Sequence, residues 1–222
     1  MTTVVPSLRL KSETRAAHDA AERTSFGRWL MEGMLSRREY AAQLMAYGAL
    51  HAALERAFAA NARLRGRLGG PRSAWCASDL DVLAEDVVPG PATVRAIEAW
   101  QSTLTEPASI PWLLGCAYVM EGSALGSAFL APRLEESLGL RSDELRYYRG
   151  NGRDTMRVWQ EFRALLDAEL ADLDACEHAI RAAKCAFGLV TNLLDALAID
   201  GGRDSTFDER PLPRGQASAS LV

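Results

Sequence analysis

The stretch Leu10-Lys11-Ser12-Glu13-Thr14-Arg15-Ala16-Ala17-His18-Asp19-Ala20-Ala21-Glu22 sets the character of the chain. It reads as the body of a helix running from about Ser7 to Arg23, and it places Lys11, Arg15 and His18 at i, i+4 and i+7 on one face. One imidazole therefore stands beside two cations. At about 1.5 Å of rise per residue the cations lie roughly 5 to 10 Å along the axis from the imidazole. Glu22, four residues beyond His18, is placed to orient the imidazole or its surroundings. The plain alternative is a surface or hydrogen-bonded core histidine flanked by solvated cations.

Outward from this helix, apolar residues recur at intervals of three and four almost everywhere and strand signals are scarce, which predicts an all-α bundle. A longer second helix follows Ser36, with Tyr40, Leu44, Tyr47, Leu50, Leu54 and Phe58 on its apolar side, and ends near Gly69-Gly70-Pro71. A shorter one covers Pro91 to Leu104, with Val94, Ile97 and Trp100 on one face. The next starts around Pro107 to Pro111 and reaches Leu138, with Pro132 expected to bend or interrupt it. After Gly150-Asn151-Gly152, two further helices span Arg153 to Leu173 and Asp174 to Ile199, either separate or merged. Residues 1–200 are expected to form one domain. Gly201 to Val222, rich in Gly, Pro, Ser and charge, reads as a disordered tail.

Composition narrows the functions. A length of 222 residues suffices for one domain that buries a core and encloses a ligand. The net charge of −4 argues against nucleic acid as a partner, because neutralising phosphates needs a basic surface. Cys76, Cys116, Cys176 and Cys185 form no C-x-x-C pair and no disulfide-scaffold spacing, which points to a reducing, cytoplasmic setting. The start lacks a signal-peptide stretch, and no run approaches the roughly 18 apolar residues of a membrane span, so no membrane partner is expected.

Three constellations carry chemistry. The Lys11, Arg15 and His18 face suits a ligand with a metal at its centre and carboxylates at its rim, since imidazole is an axial ligand for heme iron and Lys or Arg pairs with propionates. Gly115, Gly122 and Gly126 form the second, at i, i+7 and i+11 in one helix, with Ser123 and Ser127 alongside. Each helical glycine costs roughly 1 kcal/mol relative to alanine, so the group requires an offsetting reason. Either another helix approaches closely or a flat ligand lies on the backbone. In the third, Lys184 interrupts the apolar run Ala183-Lys184-Cys185-Ala186-Phe187; it snorkels to solvent or supplies another propionate partner.

Together these stretches resemble the heme oxygenase family. Leu10 to Glu22 is similar to its proximal helix, and Ala117-Tyr118-Val119-Met120-Glu121-Gly122-Ser123-Ala124-Leu125-Gly126-Ser127 to its distal helix in the Y-V-x-E-G-S-x-L-G form of bacterial members. Ala183 to Phe187 resembles the family's A-K-x-A-F stretch. The resemblance spans about residues 8 to 197, in the family's order and spacing. It implies a helical bundle holding heme between a proximal and a kinked distal helix. His18 is then the axial ligand of the iron, Lys11, Arg15, Tyr118 and Lys184 surround the propionates, and Gly122 and Gly126 lie over the distal face. Ser123 stands where animal members carry an aspartate that organises water, which puts the route of proton delivery in question. His51 either helps hold a water network there or is a core histidine with a satisfied hydrogen bond.

The activity implied is cleavage of heme, as cofactor and substrate, to biliverdin, Fe2+ and CO with O2 and electrons. The electrons come from a ferredoxin, a flavodoxin or an NADPH-dependent reductase, as the chain has no flavin or nicotinamide fingerprint of its own. The chief alternative is a non-catalytic heme carrier or sensor with the same fold, which Ser123 permits. A helical diiron oxidase needs E-x-x-H pairs, yet Arg15, Gly48 and Ala175 stand three residues before the three histidines. A purely structural or interaction domain would bind no heme.

Overall fold

The structure, a computed structural model, describes residues 5–105 and 108–202, apart from the side chain of Ala128. Ten α-helices make up the described residues, with two short 3-10 turns and no strand among them. The first, α1 (Pro6–Glu22), opens on a proline whose missing N–H costs nothing in a first turn. Thr24 caps α2 (Ser25–Met31) by accepting from Gly27 N at 3.0 Å. Ser36 and Glu39 cap α3 (Arg37–Ala60) reciprocally, each side chain accepting from the other's backbone N–H. Then follow α4 (Arg72–Leu83), α5 (Pro91–Thr103), α6 (Ile110–Gly122), α7 (Ala124–Leu138), the single turn α8 (Arg146–Arg149), α9 (Thr155–Glu169) and α10 (Leu173–Asp200).

The long α10 is the axis of the bundle and packs on α6, α1 and α5. Its approach to α6 is close enough to require a glycine. A Cβ on Gly115 would stand 2.2 Å from the Ala179 carbonyl oxygen and 2.7 Å from Ala182 Cβ. At its far end Asp200 accepts from Thr93 N at 2.8 Å and so ties α10 to the start of α5. By length and apolar composition α10 could cross a membrane, contrary to the expectation that no segment would. Here half of its apolar window is buried against neighbouring helices, as in the core helix of a bundle.

Several expected boundaries differ. The helix after Ser36 ends at Ala60 rather than near Gly69, because Asn61 leaves the helix extended and its side chain accepts from Arg63 N at 3.0 Å. The expected helix to Leu138 is two helices, broken at Ser123; Pro107, one of its expected starts, lies outside the described residues. The direction also turns by 65° between Ile110–Ser127 and Phe129–Leu138. That bend lies where the ring of Pro132 meets the carbonyl four residues back. The two C-terminal helices are separate, with residues 170–172 between them. On α5 the buried side chains are Thr93 and Trp100, whereas Val94 is exposed. The helices α2, α4 and α8 were not expected. Most of the expected tail, residues 203–222, lies outside the described residues.

Candidate functional site

The buried side of α1 is Ser7, Leu10, Thr14, His18 and Ala21, spaced by three and four. This spacing carries His18 inward, to 5% exposure, beside the edge of Phe187 on α10 at 5.9 Å between ring centroids. Both ring nitrogens are buried and neither has a hydrogen-bond partner. Leaving a buried polar group unsatisfied costs about 1 to 3 kcal/mol. Carboxylate oxygens stand near without making good hydrogen bonds, Asp19 Oδ1 at 3.5 Å from Nδ1 and Glu22 Oε1 at 3.7 Å from Nε2. Whichever nitrogen takes a metal, a carboxylate is within reach of the other to hold its N–H. An imidazole with vacant nitrogens fits an axial ligand of heme iron.

Lys11 and Arg15 are exposed on the same helix, where Arg15 Nε donates to Asp19 Oδ1 at 3.1 Å. Lys184 is brought to α1 from α10, its Nζ 2.8 Å from Glu13 Oε2, with both side chains about half exposed. Proximity to that ammonium lowers the carboxyl pKa of Glu13, through the hydrogen bond first and its charge second. The three expected cations thus sit on or beside the exposed side of α1, able to change partners. Tyr118 is interior instead, 1% exposed, with its ring 5.9 Å from that of Trp159 on α9.

Gly122 and Gly126 are both buried and flank the break between α6 and α7. The Ser123 hydroxyl donates to Met120 O at 2.8 Å, and that of Ser127 to Ser123 O at 3.2 Å. Such bonds from a side chain to its own helix bend the backbone where it is already weak. Gly115 serves helix packing against α10, so the three glycines are not one functional face.

His51 is 2% exposed, and its Nε2 lies 3.1 Å from the Tyr147 hydroxyl. Burial, and after it the charge of Arg72, pushes its pKa well below the usual histidine value. It belongs to a polar cluster that the sequence did not reveal. Gln43 donates to the Tyr148 hydroxyl at 2.8 Å, and Arg72 pairs with Glu121 at 3.4 Å, the two side chains only 3% and 5% exposed. Asp79 accepts from the backbone of Arg146 and Tyr147 at 2.7 and 2.9 Å and from the Tyr40 hydroxyl at 3.2 Å, fixing the short α8. A cavity of about 140 Å³ adjoins this cluster, lined by Arg72 and Tyr148 and, from α7, by Ala124 and Ser127. Glu121, inside the glycine-serine stretch, was the one available signal of the pair, since its side chain is charged in an otherwise apolar run.

Comparison with known proteins identifies the fold and the family. Three solved structures share the fold: a heme oxygenase from Leptospira interrogans (TM-score 0.74, 20% identity, covering 86% of this chain and 99% of that one), heme oxygenase-2 from Synechocystis sp. PCC 6803 in complex with heme and NO (0.76, 19%, 88% and 86%), and heme oxygenase-1 from the same cyanobacterium in complex with heme (0.74, 16%, 90% and 94%). No curated protein sequence matches the chain. The sequence profile described as heme oxygenase matches residues 6–196, nearly the whole described fold, and the chain belongs to the heme oxygenase family.

Proposed function

We propose that the protein binds heme through His18 and opens the porphyrin with O2 and electrons, yielding biliverdin, Fe2+ and CO. The observation that carries the reading is the buried His18 ring with both nitrogens unpartnered. Bound heme supplies the iron at which oxygen is activated and is itself the substrate. The protein does the rest. His18 would hold the iron through one ring nitrogen, and Asp19 or Glu22 is placed to hold the N–H of the other. Lys11, Arg15 and Lys184 supply cations for the two propionates and so set the orientation of the ring in its plane.

On the other face, the glycines at the α6–α7 break leave room for a planar ligand against the backbone. Beside them the cavity lined by Arg72, Tyr148 and Ser127 has polar walls and room for a few water molecules. Water held there moves protons toward the break, the task that Ser123 cannot perform as an aspartate would. The electron donor is a separate ferredoxin, flavodoxin or NADPH-dependent reductase, and the four free cysteines suit a reducing cytoplasm.

A second reading, a heme carrier or sensor, is favoured by one observation: the Ser123 hydroxyl is turned back onto Met120 O. Titration with heme followed by ascorbate or a reductase separates the two. Decay of the Soret band into a biliverdin spectrum is the expected result; a stable reduced heme complex selects the carrier, and no heme uptake at micromolar concentration removes both.

A further inference from the structure

His18, Asp19 and Glu22 bring one imidazole and two carboxylates together on the last turns of α1, their ligand atoms all within 4.8 Å of one another. The cluster is graded from interior to surface, with side-chain exposures of 7% for His18, 24% for Glu22 and 35% for Asp19. Its innermost member is the unpartnered ring, so the cluster contains a buried donor aimed at two acidic groups. The carboxylates are not equivalent. Asp19 Oδ1 already accepts from Arg15, whereas Glu22 has no ion-pair partner but His18 among the described residues.

We propose that His18 and Glu22 form a binding site for a single divalent first-row transition ion, such as Fe2+, Co2+ or Zn2+, in the heme-free protein. A tetrahedral ion with bonds of about 2.0 to 2.2 Å spaces its ligands by about 3.4 Å. His18 Nε2 and Glu22 Oε1 are 3.7 Å apart, on adjacent turns of one helix, and a small rotation of the glutamate closes the difference. Water completes the coordination from the exposed side, and Asp19 adds negative charge without needing to bind directly. Mixed imidazole and carboxylate donors suit iron, cobalt and zinc, whereas magnesium and calcium take all-oxygen shells.

Heme and the free ion are alternative occupants of one imidazole and exclude each other. If the proposed ring opening occurs, the iron it frees is already on His18, and Glu22 is the first oxygen ligand on its way to solvent. That use rests on the proposed reaction; the site itself does not.

The test is titration of the heme-free full chain with Co2+, followed by its visible d–d absorption and by calorimetry. One equivalent binds in the wild type, binding is at least roughly tenfold weaker in Glu22→Gln and lost in His18→Ala, and one equivalent of heme displaces the ion. Absence of Co2+ binding at millimolar concentration, unchanged affinity in either variant, or equal Co2+ uptake by the heme-loaded protein overturns the proposal. If His18→Ala loses Co2+ yet keeps the wild-type heme spectrum, the ion site stands and the assignment of His18 to heme falls.

Discussion

His18 and His51 are both buried, yet they live in opposite circumstances. His18 has no hydrogen-bond partner at either nitrogen and lies against Phe187 and two carboxylates. His51 bonds the Tyr147 hydroxyl within a cluster that also pairs Arg72 with Glu121 and Gln43 with Tyr148. A fold tolerates an unsatisfied imidazole where something outside the chain satisfies it. The two regions thus differ in degree: both nitrogens of His18 lack a partner, whereas the cluster among α3, α4, α6 and α8 satisfies most of its polar atoms internally and leaves only Gln43 Oε1 and Arg72 Nε without one.

The largest expected effect lies at the unsatisfied histidine. His18→Ala removes axial coordination, so the ferric heme spectrum changes and turnover falls to background, and added imidazole restores both in part. Stability of the heme-free variant changes by less than about 1 kcal/mol, because lost packing against Phe187 is offset by relief of the two unpartnered nitrogens. An unchanged heme spectrum would end the comparison at once.

The cluster behaves in the reverse way. Glu121→Gln leaves the Arg72 guanidinium buried without a counter-charge, which costs about 3 to 5 kcal/mol in urea unfolding. The double variant Arg72→Met, Glu121→Leu recovers most of that loss, since a buried pair replaced by apolar groups is often close to neutral. A single variant as stable as the wild type would show that this pair is hydrated and the region is not self-sufficient.

These two sites were unequally legible. The spacing of His18 from Lys11 and Arg15 left a plain core or surface histidine open, and the resemblance of Leu10 to Glu22 to the family's proximal helix singled it out, a local pattern that sequence preserves. The Arg72–Glu121 pair joins residues 49 apart, and α4 buries Arg72 and Asp79 beside Trp75, Cys76 and Leu83. Its inward stripe therefore mixes charge with apolar residues, and the periodicity that reveals α1 or α10 is hidden. The end of α3 at Asn61 and the break at Ser123 depend on side-chain bonds to nearby backbone, which compete with helix only in the folded context. Pro132, by contrast, was readable because its ring acts on its own helix.

The glycines sharpen the division at intermediate cost. Gly115→Val drives a side chain into the Ala179 carbonyl and destabilises by about 1 to 3 kcal/mol, with heme affinity falling only in proportion. Gly122→Val and Gly126→Val are expected to lower heme affinity well beyond any loss of stability. Parallel unfolding curves and heme titrations decide it: if all three variants lose heme only as they lose stability, the pair at the break serves helix packing as Gly115 does.

The smallest effect is a pH dependence belonging to His51. Burial first, and then the Arg72 charge, keep its folded pKa well below 6.5, so the ring stays neutral in the folded protein. The unfolded chain takes up a proton near 6.5 and therefore binds more protons as pH falls, which lowers stability below that value and leaves it unaffected above. Between pH 7.5 and 5.5 the loss is on the order of 1 kcal/mol. Asp79 works the other way: burial raises its pKa despite the N–H groups of Tyr147 and Arg146, so its protonation favours the folded state at lower pH. His51→Gln separates the two contributions. Glutamine can still bond the Tyr147 hydroxyl but does not titrate, so the wild-type curve minus the variant curve isolates the histidine and cancels Asp79. A difference that declines below pH 6.5 shows a sealed cluster. A flat difference would mean that His51 accepts a proton in place and that the cluster admits solvent.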